Sequence, residues 1–217
     1  MNKGDPFPVS GSVEQIELNS LMGAQRGTTE RFDISAQRPL GTMAKAVIVP
    51  TNKEVALRGD DIIVSKTNLK GRITYANRTF IRFAGFTEAE LLGQPHSIIR
   101  HPDMPRAVFK LLWDTITDRR EIFAYVKNMA KSGDHYWVFA HVTPTCDQSN
   151  SINGYHSNRR CPSRDVVANA IAPLYAAILQ EEKRHRNGQD ALRAGSEFLV
   201  DLLRSKGVSY DEFIFSL

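Results

Sequence analysis

The spacing of hydrophobic and polar residues changes along the chain, from strand-like runs to a helical period and back. Apolar or alternating runs predict five strands, at Ile62–Thr67, Arg72–Ala76, Glu121–Ala130, His135–Cys146 and Ser151–Arg160. The first two flank the turn Asn68–Gly71, and the third and fourth flank the Gly-containing turn Lys131–Asp134. We therefore expect two β-hairpins and a fifth strand that returns beside them.

Helical signals fill the stretch between the second and third predicted strands. Asn77 is suited to cap a short helix that Gly85 ends, and Thr87 with Glu90 has the spacing of a capping box. A longer amphipathic helix is predicted over about residues 104–118. This order predicts an α+β fold, a five-stranded antiparallel sheet with helices on one face. A cavity between sheet and helices is a common place for a small ligand.

The polar segment His96–Pro105 (HSIIRHPDMP) lies between the short helices and the long one. Arg100, His101 and Asp103 place a cation, a titratable ring and an anion close together, in a backbone that two prolines restrict. We expect this segment to act as a lid over the sheet. The alternative is a local Arg–Asp pair that only rigidifies a turn.

Beyond Pro162 the apolar period is helical throughout. Two helices are predicted, Val166–Leu179 and Leu192–Leu203, separated by the charged break Glu181–Gly188 and ended by Gly207. Such a pair of helices is typical of a helical hairpin.

The chain is thus expected to have three parts. Residues 1–58 show no sustained pattern and contain several Pro, Gly and Ser, which predicts an N-terminal arm or cap that is partly flexible. An arm that binds a partner is the alternative. Residues 59–162 form the sheet domain, and residues 163–217 form the C-terminal helical segment.

Composition excludes several classes of function. The 217 residues are 41% hydrophobic and carry a net charge of +4, but Lys and Arg are scattered, which argues against nucleic-acid binding. No apolar run approaches the length of a membrane span, and the N-terminus lacks a signal peptide, so we expect a cytoplasmic protein without membrane insertion. No nucleophile elbow, P-loop or paired carboxylates appear, so we expect no enzyme.

The two cysteines predict neither a metal site nor a disulfide. No Cys-x-x-Cys occurs, and the hairpin geometry places Cys146 opposite a residue near Ile152, away from Cys161. The six histidines likewise show no metal-ligand spacing.

Four motifs in order, HSIIRHPDMP, YVKN, GDHYWV and VTP, resemble the PAS domain of bacterial aerotaxis and energy-taxis receptors over about residues 60–160. The resemblance implies a PAS fold and a sensory function. Receptors of this kind hold FAD non-covalently and report cellular redox state to the chemotaxis kinase. The residues at matching positions that would bind the cofactor are Arg100, His101, Asp103, Phe109, Trp113, Asn77, Asn128 and Trp137.

The chemistry of these residues agrees with a flavin. Arg100 suits a phosphate, and aromatic side chains such as Trp113 and Trp137 can stack on an isoalloxazine ring, although such residues are also common in cores. Asn128 lies on an otherwise apolar strand face, where an amide needs a partner.

One residue departs from the pattern of the flavin-binding receptors and leaves the cofactor open. Ile122 stands where flavin-binding receptors have a tryptophan, which removes one expected aromatic wall. The expected cofactor is therefore FAD, with haem, held by His96 or His101, or no cofactor as alternatives. A ligand-free dimerisation scaffold is the alternative function. In each case we expect a homodimer that docks on a chemotaxis or other signalling protein, because the apolar stripes exceed what one sheet face covers.

Overall fold

A computed structural model describes residues 48–217, so residues 1–47 of the predicted arm lie outside the described residues. Five antiparallel strands form one sheet in the order β2-β1-β5-β4-β3. They are β1 Ile63–Thr67, β2 Ile73–Ala76, β3 Ile122–Met129, β4 His135–Cys146 and β5 Ile152–Arg160. All five predicted strands are confirmed to within a residue or two, and Cys146 lies opposite Ile152 as the hairpin geometry predicted.

Four helical elements cover one face of the sheet. They are α1 Arg78–Ala84, α2 Glu88–Leu91, a 3₁₀ turn at His96–Ile99 and α3 Arg106–Thr117. The predicted caps are confirmed: Asn77 accepts from the Phe80 amide, and Thr87 with Glu90 forms a capping box. The α+β fold with a five-stranded antiparallel sheet is therefore confirmed.

The C-terminal segment forms a longer set of helices than the sequence predicted. They are α4 Arg164–Val166, a π-helical turn at Val167–Ile171, α5 Ala172–Lys183, α6 Gly188–Lys206 and α7 Tyr210–Phe215. The π turn ends two residues before Pro173, the second residue of α5, where the ring removes a backbone donor. Helix α7, with its own capping box at Ser209, was not predicted. Among residues 48–217, no helix combines the length and apolar composition that crossing a bilayer requires.

The prediction placed helices on only one face of the sheet. The C-terminal helices also cover the second face. On the second face, the Tyr175 hydroxyl of α5 donates to the Tyr125 carbonyl at 2.7 Å. The ring of Phe215 in α7 lies 4.8 Å from that of Phe123. Helix α6 packs against α3. The C-terminal segment therefore wraps around the β3 edge and contacts both layers.

The described end of the predicted arm adds to the sheet. The Val55 amide donates to the His135 carbonyl at 2.7 Å, and the His135 amide donates to the Lys53 carbonyl at 2.8 Å. At this point β5 no longer pairs with β4, so residues 51–55 supply partners for an otherwise open strand edge.

The lid segment runs along the free edge of β3. Arg100 forms a bridge with Asn128, and the chain then places His101 on the other side of the edge, against the ring of His135. His101 is only 1% exposed, and its Nδ1 accepts from the Asp103 amide at 3.1 Å. The Asp103 carboxylate accepts from Lys127 Nζ at 2.6 Å. Arg100 and His101 therefore face different parts of the molecule.

A carboxylate from α5 caps α3, the helix that follows the lid segment. Pro105, which precedes α3, has no capping side chain, and the buried Glu182 takes over this function. Its two oxygens accept from the Arg106 amide at 3.1 Å and the Ala107 amide at 2.8 Å. Gly195 of α6 leaves room for it, because a Cβ there would lie 2.7 Å from Glu182 Cγ. One side chain thus joins α3, α5 and α6.

Replacing Glu182 by Ala should lower the free energy of unfolding by about 2 kcal/mol, because two amides of α3 lose their acceptor inside the protein. The matched control is Glu181→Ala, which removes only an exposed pair with Arg184 and should cost about 0.5 kcal/mol or less. Urea denaturation of both variants measures the difference. Equal midpoints for the two variants would contradict the assigned cap.

Acid should destabilise the domain partly through His101. Burial, with a smaller effect of Lys127, lowers the pKa of His101 to about 4, against about 6.5 in an unfolded chain. Between these values the unfolded state binds a proton that the folded state does not, so stability falls as the pH falls from about 6.5 to about 4.

The variant His101→Asn cannot ionise, and its amide oxygen can accept the Asp103 amide. It should therefore lose less thermal stability than the unmodified protein between about pH 7 and about pH 4.5. Calorimetry at the two pH values measures this. The exposed His185→Asn serves as control, and a His101→Asn profile parallel to that control would refute the assignment.

Candidate functional site

A cavity of about 280 Å³ lies between the sheet and α3. Most of its wall is apolar, from the sheet residues Val126, Ala140 and Val142 and the α3 residues Phe109, Leu112, Trp113 and Ile116. Strand alternation explains the sheet wall, because every second residue of β3 and β4 faces α3. The shape suits a flat, largely apolar ligand.

A buried arginine forms the polar part of the wall. Arg159 of β5 is 4% exposed, and its Nη2 donates to Ser65 Oγ at 2.8 Å and to His96 Nε2 at 2.6 Å. Burial and the positive charge of Arg159 hold the pKa of His96 well below its ordinary value, so His96 is neutral and can accept. Burial also lowers the pKa of Arg159 to about 10, which leaves the guanidinium charged near neutral pH.

This charge has no acidic partner among residues 48–217. Within the same described range, Arg159 Nη1, Asn128 Nδ2 and Ser157 Oγ are buried without a hydrogen-bond partner, and all three residues line the cavity. Buried donors without partners are costly and uncommon. The cavity therefore offers unpaired donors from both β3 and β5 to a ligand that carries hydrogen-bond acceptors.

Arg100 stands at the lid side of the cavity. Its guanidinium stacks over the Phe109 ring at 4.4 Å, and its Nη2 donates to the Met104 carbonyl at 3.0 Å. The side chain is thus held by α3 and by the lid at the same time. It forms a fixed cationic border of the cavity.

Trp113 closes the other side, next to the β1–β2 turn. Its ring lies edge-on to Tyr155, with centroids 5.4 Å apart. Gly71 in the turn has φ +67°, and a Cβ there would lie 3.0 Å from the Trp113 ring. Glycine at this position therefore serves both the turn and the close approach of the indole.

The structure brings together half of the cofactor-binding residues that the sequence predicted. Those that line the cavity are Arg100, Phe109, Trp113 and Asn128. His101 and Asp103 turn to the opposite side of the β3 edge, where Asp103 pairs with Lys127, so they do not line it.

Trp137 and Asn77 do not line the cavity either. Trp137 pairs with Lys127 across the β3–β4 ladder, whereas Asn128 pairs with Tyr136, so Trp137 lies on the opposite sheet face, near Tyr175. Asn77 accepts from the Val64 and Phe80 amides at 3.1 and 2.9 Å and donates to the Ile62 carbonyl at 2.8 Å, all to fix α1.

Sequence reasoning missed the polar wall. Tyr155, Ser157 and Arg159 alternate along β5, which was a signal that they share one face, but the face turned toward the helices could not be identified from β5 alone. Ile122, expected to leave a gap in the wall, is fully buried in the core and does not line the cavity.

The histidines give little support for a metal centre. Residues 48–217 contain no group of three or more His, Cys, Asp or Glu side chains placed to hold a metal ion. Of the two histidines proposed as haem ligands, His101 lies outside the cavity, and His96 Nε2 already accepts from Arg159.

Comparison with known proteins agrees with this geometry. Residues 73–158 match the family model described as PAS fold. The aerotaxis receptor of Escherichia coli (strain K12) is 41% identical over 128 residues, which cover 59% of this chain and 25% of the receptor. The nitrogen fixation regulatory protein of Klebsiella pneumoniae is 28% identical over 99 residues, 46% of this chain and 20% of that protein. The chain thus spans about a quarter or less of these relatives.

Similar solved structures include the dark structure of the blue-light photoreceptor Aureochrome1 LOV, with 24% identity and a TM-score of 0.44 over 56% of this chain and 84% of that one. A PAS domain from Colwellia psychrerythraea has 16% identity and a TM-score of 0.44 over 48% of this chain and 87% of that one. Residues 73–158 therefore have a PAS fold, and the sequence around them is similar to that of the aerotaxis receptor.

Proposed function

We propose that this chain is a cytoplasmic sensor, not an enzyme, whose PAS domain binds FAD and passes redox state to a signalling partner. The observation that carries the proposal is the polar wall of the cavity. Arg159, Asn128 and Ser157 present buried donors without partners in an otherwise apolar space.

A flavin fits this arrangement. Its ring system is flat and has an apolar benzenoid side, which suits the walls formed by Phe109 and Val126, and a pyrimidine side rich in carbonyl and nitrogen acceptors. Arg159 and Asn128 would donate to those acceptors. A bound flavin would supply reversible electron uptake. Arg159 and Asn128 would then hold the ring edge more strongly as its electron density rises.

Arg100 connects the cavity to the C-terminal helices, so a change in the cavity can reach them. Arg100 borders the cavity and is held by Met104 and Phe109 at the start of α3. The first amides of α3 are bound by Glu182 of α5. A small shift of the lid would therefore move the C-terminal helices, which we propose contact a chemotaxis or other signalling protein, with the chain acting as a homodimer.

A ligand-free scaffold is the second candidate. It is favoured by exposed apolar side chains on the C-terminal helices, Val200 at 50% and Phe215 at 61% exposure. Haem is less well supported, because the one proposed axial ligand that lines the cavity, His96, is engaged by Arg159.

Absorption spectra and flavin released on denaturation test the proposal. The protein should bind FAD, and Asn128→Leu should weaken FAD binding about tenfold, because it removes one buried donor to the ring. Trp137→Phe alters an aromatic on the opposite sheet face and should leave FAD affinity unchanged. A colourless protein that takes up no flavin would refute the FAD assignment, and a Soret band would favour haem.

A further inference from the structure

A basic groove lies on the outer side of the lid, where α5 turns into α6. Its cationic lining consists of Arg100, Arg106, Lys183, His185 and Arg186. Arg106 is fixed there, because its Nη1 donates to the Gly188 carbonyl at 3.1 Å. The groove is thus built jointly by the PAS domain and by the turn between the C-terminal helices.

The positive charge of the groove is only partly balanced within the described part of the chain. Its only acidic lining residue is Glu182, whose oxygens are occupied by the amides of Arg106 and Ala107. Residues 48–217 offer no salt-bridge partner to Arg106, Lys183 or Arg186. Other arginines on the same two helices are paired, in Arg184–Glu181, Arg193–Asp190 and Arg204–Asp201.

Arg100 links this groove to the cavity. It lines both spaces, and its guanidinium is held at their border by Phe109 and Met104. A ligand whose ring occupies the cavity and whose chain leaves past Arg100 would enter the groove directly. Clustered cations with free donors are the chemistry that binds phosphate.

We propose that the basic groove binds the pyrophosphate of a dinucleotide flavin, with Lys183 and Arg186 as specificity residues. This inference rests on the proposed flavin site and extends it to a segment outside residues 73–158. The C-terminal helical turn thereby distinguishes FAD from riboflavin. It also makes the position of that turn dependent on whether the ligand is present.

Titration of flavin-free protein with FAD, FMN and riboflavin, followed by flavin fluorescence, tests the groove. FAD should bind at least about tenfold more tightly than riboflavin, because only FAD offers the pyrophosphate to charged donors. The double variant Lys183→Glu/Arg186→Glu should lose this preference and keep its riboflavin affinity. Inorganic pyrophosphate should compete with FAD and leave riboflavin binding unchanged.

Arg193→Glu/Arg204→Glu is the matched control. It changes the net charge by the same amount, but both residues lie on α6, away from the groove. It should retain the preference for FAD. If the unmodified protein binds FAD and riboflavin equally, or if the two double variants behave alike, the groove assignment is wrong while the flavin site stands. If none of the three flavins binds, both proposals are overturned.

Discussion

The carboxylate of Glu182 is the interaction on which the arrangement of the C-terminal helices depends. A helix that begins after a proline without a capping side chain needs acceptors from elsewhere, and α5 supplies both from one residue. The absence of a side chain at Gly195 lets α6 close over that contact. The C-terminal segment is therefore part of the same packing unit as α3, not an appendage joined only through the backbone.

The second constraint on the structure is the buried positive charge of Arg159. A guanidinium buried under Phe80 and held by neutral acceptors is tolerated because Ser65 and His96 each take one of its bonds. Its Nη1 has no partner, and the residue lines the cavity. Arg159 therefore affects both the stability of the fold and the affinity for a ligand. A substitution that removes its buried charge would also remove the donor that a ligand would use.

The sequence predicted local structure better than the direction of side chains. Caps at Asn77 and Thr87 and the strand limits depend on neighbours close in the chain, so their patterns are readable. The lid was predicted to lie over the sheet, whereas it runs along the free edge of β3. His101 was predicted to bind the cofactor, but the chain reverses face between Arg100 and His101. Trp137 lies away from the cavity for a related reason: its face follows from the strand register, which depends on pairing across the hairpin. The contact between Glu182 and α3 joins residues 75 and 76 positions apart, and no local pattern reports it.

The opposite placement of the two tryptophans gives the molecule a pair of separate optical probes. Trp113 forms the cavity wall, whereas Trp137 lies under α5 beside Tyr175 on the other side of the sheet. The emission of the first indole would respond directly to a ligand packed against it in the cavity. The emission of the second would respond to the polarity beneath α5. Variants that keep one indole each would therefore report separately on the filling of the cavity and on the packing of α5 against the sheet.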